Sequence, residues 1–303
     1  MNLRLNPMNL RLPRRRFLHA LFSAAAVPLL TAAPPKPRFG SQLYGWGQYY
    51  QREGKSLASH LPEALSAIRD AGYEYAEGSL DLRHIERNEE FAAQLKAKGL
   101  IPLSLYSGGR FGTPGEQEKT VEALLNAAKV CKRAGFTIIN LNPDPIGRPK
   151  TRKELETQVA GLKKLGAAFK QLGLQLGIHH HTPEFANHGE EFHFNFAQTD
   201  PEQVGFCYDV HWVYRGGVKP ADALKSYGKR IVSWHLRQSR GGIWFEEMAA
   251  GDIDYGGVAR HARANRLPPN YSVELALEEG TKITRSVVEN HRRSLEYTKQ
   301  VFA

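Results

Sequence analysis

The sequence predicts an α/β domain folded as a (β/α)8 barrel, and three observations carry that prediction. Eight short β-rich runs alternate with amphipathic helices over residues 34–303, and strands separated by helices pair in parallel through right-handed crossovers. Four helix ends carry a glycine just before the next strand, in DAGY, AKGL, RAGF and QLGL, where a left-handed cap stops the helix. The glycine-rich stretch SLYSGGRFGTPG lacks the G-x-G-x-x-G spacing that a doubly wound, dinucleotide-binding sheet would place after an early strand.

Taken in order, the chain opens with Pro13-Arg14-Arg15-Arg16-Phe17-Leu18-His19 and an alanine-rich run from Ala20 to Leu30. Residues 1–33 resemble a twin-arginine signal peptide, with Thr31-Ala32-Ala33 as the cleavage site. The apolar run is shorter than the roughly 20 residues that span a bilayer. The expectation is therefore a periplasmic protein with no stable membrane insertion once the signal is removed. MNLRLNP is nearly repeated as MNLRLP, which leaves Met1 and Met8 as alternative starts.

The barrel domain is expected over residues 34–303. Its strands are read at Gly40 to Tyr44, Tyr73 to Glu77, Ile101 to Tyr106, Thr137 to Leu141, Gln175 to His180, Val204 to Val210, Ile231 to Leu236 and Tyr271 to Leu275. Apolar residues at i, i+3, i+4 spacing mark helices over Leu57 to Ala71, Glu89 to Lys98, Gln117 to Ala134, Lys153 to Leu172 and Thr281 to Phe302.

The composition fits one large core, with 303 residues of which 41% are hydrophobic. Residues 1–33 hold five arginines and no acid, so their removal lowers the formal charge from +10 to +5. The basicity is then largely an export device, and no nucleic-acid partner is expected. Cys131 and Cys207 fall in a helix and a buried strand and read as core thiols rather than a disulfide.

In a barrel of this kind chemistry sits at the carboxyl ends of the strands. The last four strands end LGIHHH, GFCYD, VSWH and YSVE, presenting His179 or His181, Asp209, His235 and Glu274. Side chains alternate along a strand, so His179 and His181 share one face and His180 points into the helix layer. Two imidazoles and two carboxylates suit one divalent ion: Mn2+ is the expected ion, with Zn2+ and Co2+ as alternatives.

From Phe39 onward the chain resembles the xylose isomerase-like TIM barrels, a group that includes sugar isomerases and epimerases, inosose dehydratase and endonuclease IV. The resemblance rests on LGIHHHTPEF, similar to the His-Asn-His with trailing Glu-Phe of many members, on YDVHWVYRGG, on WHLRQ, similar to His-Leu-Lys-Asp, and on GDIDYGGV and YSVEL. It implies that the Glu, Asp, His and Glu that hold the ion in the epimerases correspond here to His179, Asp209, His235 and Glu274. His179 departs from that pattern. In the epimerases both glutamates also exchange the proton, and a ligated histidine is a poor base, so two-glutamate epimerisation is not expected. Gln238 also stands where the family usually has aspartate.

The resemblance further suggests Arg237 beside the substrate. Glu184 is a second candidate acid or base. Trp46 is a candidate for stacking on a sugar face. His181, His211 and Asn142 are candidates for substrate contacts, and Glu77 for facing the cavity. His188 and His193 are read as exposed loop residues. The expected function is a metal-dependent sugar isomerase or epimerase acting on a keto-sugar through an enediolate, with Glu274 as base. A lyase acting on inosose-like compounds or 3-keto-glycosides, and a non-catalytic sugar-binding protein, are the alternatives. In each case the partner is a small carbohydrate. A phosphodiesterase with a metal cluster is disfavoured, because the first four strands are nearly bare of histidine.

Overall fold

The computed structural model describes residues 36–303; the signal peptide read over residues 1–33 lies outside the described residues. All eight β-rich runs become strands of a closed parallel barrel. In chain order the strands are β1 (Arg38–Gln42), β2 (Tyr75–Ser79), β3 (Ser104–Gly109), β4 (Ile138–Pro143), β5 (Gln175–Ile178), β6 (Val204–Asp209), β7 (Ile231–Leu236), β8 (Ser239–Arg240), β9 (Ile243–Trp244) and β10 (Asn270–Val273). Around the barrel the order is β1-β10-β7-β6-β5-β4-β3-β2, while β8 and β9 form a small antiparallel hairpin outside it. The ring closes where Arg38 of β1 lies beside Asn270 of β10.

The helices are α1 (Leu43–Arg52), α2 (Leu61–Asp70), α3 (Arg87–Ala97), α4 (Pro114–Ala134), α5 (Arg152–Leu172), α6 (Ala186–Ala197), α7 (Val210–Arg215), α8 (Pro220–Tyr227), α9 (Tyr255–Ala264) and α10 (Val287–Phe302). Local chemistry sets their ends. Thr151 and Glu154 form a reciprocal capping box at the start of α5, and Gly173 closes it at φ 70°. The last helix starts later than the periodicity suggests, because Ser286 caps it by accepting from Glu289 N. Among the described residues no helix is long and apolar enough to cross a membrane.

The main core lies between sheet and helices, where α5 buries Leu162, Leu165 and Phe169 and α4 buries Val121, Leu124 and Cys131. Cys131 and Cys207 are both free and buried, as expected. Inside the barrel the filling turns polar. Glu77 accepts from Ser104 Oγ at 2.5 Å and from Asn140 Nδ2 at 2.9 Å, and Asn140 Oδ1 accepts from Ser233 Oγ at 2.8 Å. Gly177 makes room for this layer, since a Cβ there would stand 2.5 Å from Asn140 Oδ1. The network forms a rigid polar floor under the carboxyl ends of the strands.

Candidate metal and substrate site

Four strand ends deliver the site. His179 follows β5 and keeps its pairing, donating from its backbone N to Leu141 O at 2.9 Å. Asp209 ends β6 opposite His235 of β7. Glu274 follows β10, its backbone N donating to Leu236 O at 2.9 Å. All four side chains are buried, and one ligand atom from each lies within 4.8 Å of every other. His179 Nε2 and His235 Nδ1 are buried without a hydrogen-bond partner. They nevertheless approach Asp209 Oδ2 at 3.5 Å and Glu274 Oε2 at 3.0 Å. Two orphaned imidazole nitrogens and two carboxylates aimed at one point fit a divalent ion.

Neighbours fix how each group presents itself. His235 Nε2 lies 2.6 Å from Glu77 Oε1, which leaves Nδ1 to face the centre. Asn142 Oδ1 lies 3.2 Å from His179 Nδ1, which leaves Nε2 inward. Asp209 Oδ1 caps α7 through Trp212 N at 2.8 Å, so Oδ2 faces inward. Arg237 bridges the two carboxylates, its Nη2 lying 2.9 Å from Asp209 Oδ2 and 2.8 Å from Glu274 Oε2. Its guanidinium also lies 4.5 Å from the centre of the Trp244 ring and 5.3 Å from that of Trp212.

This packing sets the charge states. Burial opposes ionisation of Asp209 and Glu274, but Arg237 and the histidines outweigh it and hold both low, Glu274 at about 2. Burial also opposes the His235 imidazolium, yet Cys207, Glu77 and Glu274 around it hold its pKa well above the ordinary histidine value. Burial lowers His179, and it takes His181 down to about 3, so both rings are neutral at neutral pH.

A cavity of about 920 Å³ opens above these groups. His181 and Arg237 line it with His179, His235 and Glu274. Trp46, His211, Asn142 and Glu184 do not line it, and neither do Glu77 and Asp209. Trp46, two residues past the strand read over Gly40 to Tyr44, sits on α1, because the chain leaves the sheet at Gln42 and the Gln42 side chain caps the helix. Its indole is fully buried, donating to Ser41 Oγ at 2.9 Å and lying 4.5 Å from the His291 ring. His211 is turned away by the start of α7 and accepts from Trp244 Nε1 at 3.3 Å. Asn142 is committed to His179 and Glu184. Glu184 is buried behind Asn142, accepting from its Nδ2 at 3.1 Å and from His181 N at 2.9 Å. Burial and nearby Glu191 raise the Glu184 pKa to about 7.

Glu77 lies beneath the cluster, against His235, rather than on the cavity wall. His180 points outward among Phe185, Phe192, Phe196 and Phe206, as expected; His188 and His193 are exposed, as expected, but lie on α6 rather than in a loop. Gln238 ties down its own loop, donating to Ala249 O and Ile253 O at 3.1 Å each. Sequence reading missed Tyr106, Trp212 and Trp244 as cavity residues. For Trp212 the signal was present: it lies three residues past Asp209, in the first turn of a helix whose cap is a site residue.

The closed parallel barrel, with its buried His/Asp/Glu cluster at the carboxyl ends, defines the class as a (β/α)8 barrel with a candidate metal centre. The chain belongs to the xylose isomerase-like TIM barrel family, whose model matches residues 65–300. It is 32% identical over 88 residues to an inosose dehydratase of Clostridium perfringens, covering 29% of this chain and 30% of that protein. It is 28% identical over 194 residues to an inosose dehydratase of Lacticaseibacillus casei, covering 64% of this chain and 58% of that protein. The matches thus span less than two thirds of those relatives' lengths. Among solved structures, a sugar phosphate isomerase/epimerase from Parabacteroides distasonis superposes with TM-score 0.70 at 20% identity, covering 90% of this chain and 97% of that one. The 3-keto-D-glucoside 4-epimerase from E. coli superposes with TM-score 0.67 at 14% identity, covering 88% of this chain and all (100%) of that one.

Proposed function

We propose that the protein is a divalent-metal-dependent enzyme that removes the proton beside a carbonyl in a keto-sugar or sugar derivative and works through an enediolate. The observation that carries the reading is the convergence of His179, Asp209, His235 and Glu274 within 4.8 Å. Charge balance supports it: the buried carboxylates of Asp209 and Glu274 share one arginine, with Arg237 Nη2 2.9 and 2.8 Å from them. A divalent ion held by His179, Asp209, His235 and Glu274 would add positive charge beside these carboxylates.

When bound, the ion supplies Lewis-acid stabilisation of negative charge developing on a substrate oxygen. Glu274 is the carboxylate on the cavity floor and takes the proton. Arg237 keeps it ionised but weakens it as a base, so substrate binding must draw Arg237 off Glu274 toward the developing oxyanion. Returning the proton to the intermediate gives isomerisation or epimerisation; loss of a β-substituent gives elimination. With Glu184 behind Asn142, no second carboxylate among the described residues stands across the floor from Glu274 to reprotonate the opposite face, which favours elimination or one-face isomerisation over epimerisation. Relatives named as dehydratases and epimerases are compatible with this shared first step. The same proposal takes the periplasm as the compartment, on the arginine motif of residues 1–33.

The test is exchange of the substrate C–H with deuterated solvent, using protein loaded with Mn2+, Zn2+ or Co2+ and a panel of inososes, ketoses and 3-keto-glucosides. Wild-type protein is expected to exchange at least one of them. Glu274→Gln is expected to exchange none, with metal content measured alongside because Glu274 is also a proposed ligand. Absence of exchange across the whole panel by metal-loaded wild type, with internal proton return excluded by substrate labelled at that carbon, would overturn the reading.

A further inference from the structure

The cavity is larger than a single sugar ring requires, and its two halves differ in chemistry. At about 920 Å³ it lies near the top of the roughly 300–1,000 Å³ range of small-molecule sites. One half holds the polar floor with His181, Arg237 and Glu274, walled by Trp212 and Trp244. The other half reaches under α1 and the turn that follows it, where Leu43, Leu57, Ala58, Leu61 and Phe91 line the space.

Four of the polar side chains in that second half are committed to the protein, while Tyr44, Gln51, Ser79 and Arg87 also line it. Gln42 caps α1. Gln48 makes a two-way clamp, Nε2 donating to Leu277 O at 2.9 Å and Oε1 accepting from Leu277 N at 2.7 Å. Asn88 accepts from Asp81 N and donates to Asp81 O and Ile85 O, each at 2.9 Å. Asp81 Oδ1 accepts from Arg83 N at 2.9 Å and His84 N at 2.8 Å. A ligand lying against Leu43, Leu57, Leu61 and Phe91 meets apolar surface, and hydroxyl groups placed against that patch would lose their hydrogen bonds to water without replacement.

The wall is also built to hold its shape. Gly45 packs α1 so closely on the segment after β10 that a Cβ would stand 2.4 Å from Leu275 O. Gly78 lets the Phe91 ring lie against β2, where a Cβ would meet it at 2.9 Å.

We propose that this half is an aglycone subsite, and that the substrate is a keto-sugar glycoside carrying an aromatic or otherwise apolar aglycone rather than a free sugar. The inference rests on the reading of the polar floor as the sugar-binding pole. The sugar lies over Glu274 and Arg237, and the aglycone lies against Leu43, Leu57, Leu61 and Phe91. Burial of an aromatic ring there supplies binding energy remote from the reacting carbon, which is available to draw Arg237 off Glu274.

The experiment measures binding of p-nitrophenyl and methyl glucosides, in both anomers, to the full protein by calorimetry. At least one p-nitrophenyl glucoside is expected to bind at least tenfold more tightly than its methyl counterpart, about 1.4 kcal/mol. Leu57→Asn with Leu61→Asn, and separately the exposed-position change Ala58→Asp, are expected to reduce that advantage below threefold while leaving the methyl glucoside unaffected. Equal affinities, no binding of either glycoside, or an advantage that survives both variants would overturn the subsite. C–H exchange on the 3-keto derivatives separates the two readings. Exchange without an aglycone advantage removes the subsite and leaves the chemistry standing. An aglycone advantage without exchange in any member of the panel, the 3-keto derivatives included, leaves the subsite and removes the chemistry.

Discussion

Asn142 stands between His179 and Glu184, its Oδ1 3.2 Å from His179 Nδ1 and its Nδ2 donating to Glu184 Oε1 at 3.1 Å. One amide thereby orients the histidine that departs from the epimerase ligand pattern and ties down the carboxyl group that would otherwise be free to approach it.

Replacing Asn142 with leucine removes the acceptor that fixes the His179 tautomer. Divalent-ion affinity, read by calorimetry with Mn2+ or Zn2+, is expected to fall roughly 10- to 100-fold, as for other partners that orient a ligand. His179→Ala should cost more. Unchanged affinity in both variants would take His179 out of the ligand set.

Arg237 neutralises two buried carboxylates at once. Arg237→Met should destabilise the metal-free protein by about 3–5 kcal/mol, the usual cost of stranding a buried charge. Added divalent ion should then raise Tm by more in the variant than in wild type. An equal rise in both proteins would show that arginine and ion do not share the same charges.

Glu184 makes stability depend on pH in a stated direction. Its pKa is raised from 4.5 to about 7 in the fold, chiefly by burial, so the folded state binds the proton more tightly than the unfolded chain. That contribution is fully present below about pH 4.5 and is lost as pH rises through about 7. Glu184→Gln should flatten the fall in denaturation midpoint between these values, measured by urea titration at several pH values. An unchanged slope would mean that other groups carry it.

Export is tested on Arg14 and Arg15, within the signal read from the sequence. Changing both to lysine should leave full-length precursor in the cytoplasm, visible by cell fractionation. Normal periplasmic yield would remove the twin-arginine reading.

The eight strands were legible because each combined β-rich residues with a glycine or polar stop, and four helix-ending glycines do hold positive φ, from 70° at Gly99 and Gly173 to 110° at Gly135. Convergence at the strand ends was legible because barrel geometry dictates it once the strands are placed. Trp46 was not, since a two-residue error at the end of β1 moves a side chain from strand to helix, and the cause is one Gln42 side chain capping the next turn. Trp244 was not, because it reaches the cavity from a two-residue strand in a loop, where no periodicity exists to read. The burial of Glu184 depends on a partner 42 residues away in sequence, and no local pattern reports such a pair.

The pairing of Arg38 with Asn270 also sets an order of assembly. The first strand has no neighbour on one side until the last strand has left the ribosome, so ring closure is a contact of very long sequence separation and belongs late in folding. Glu274 arrives with that last strand, whereas His179, Asp209 and His235 lie on earlier ones. A chain that has not yet placed β10 can therefore present three of the four groups but not the full set. On the proposed ligand assignment, tight capture of an ion would report that the ring is closed, making it a built-in proofreading signal for the finished barrel.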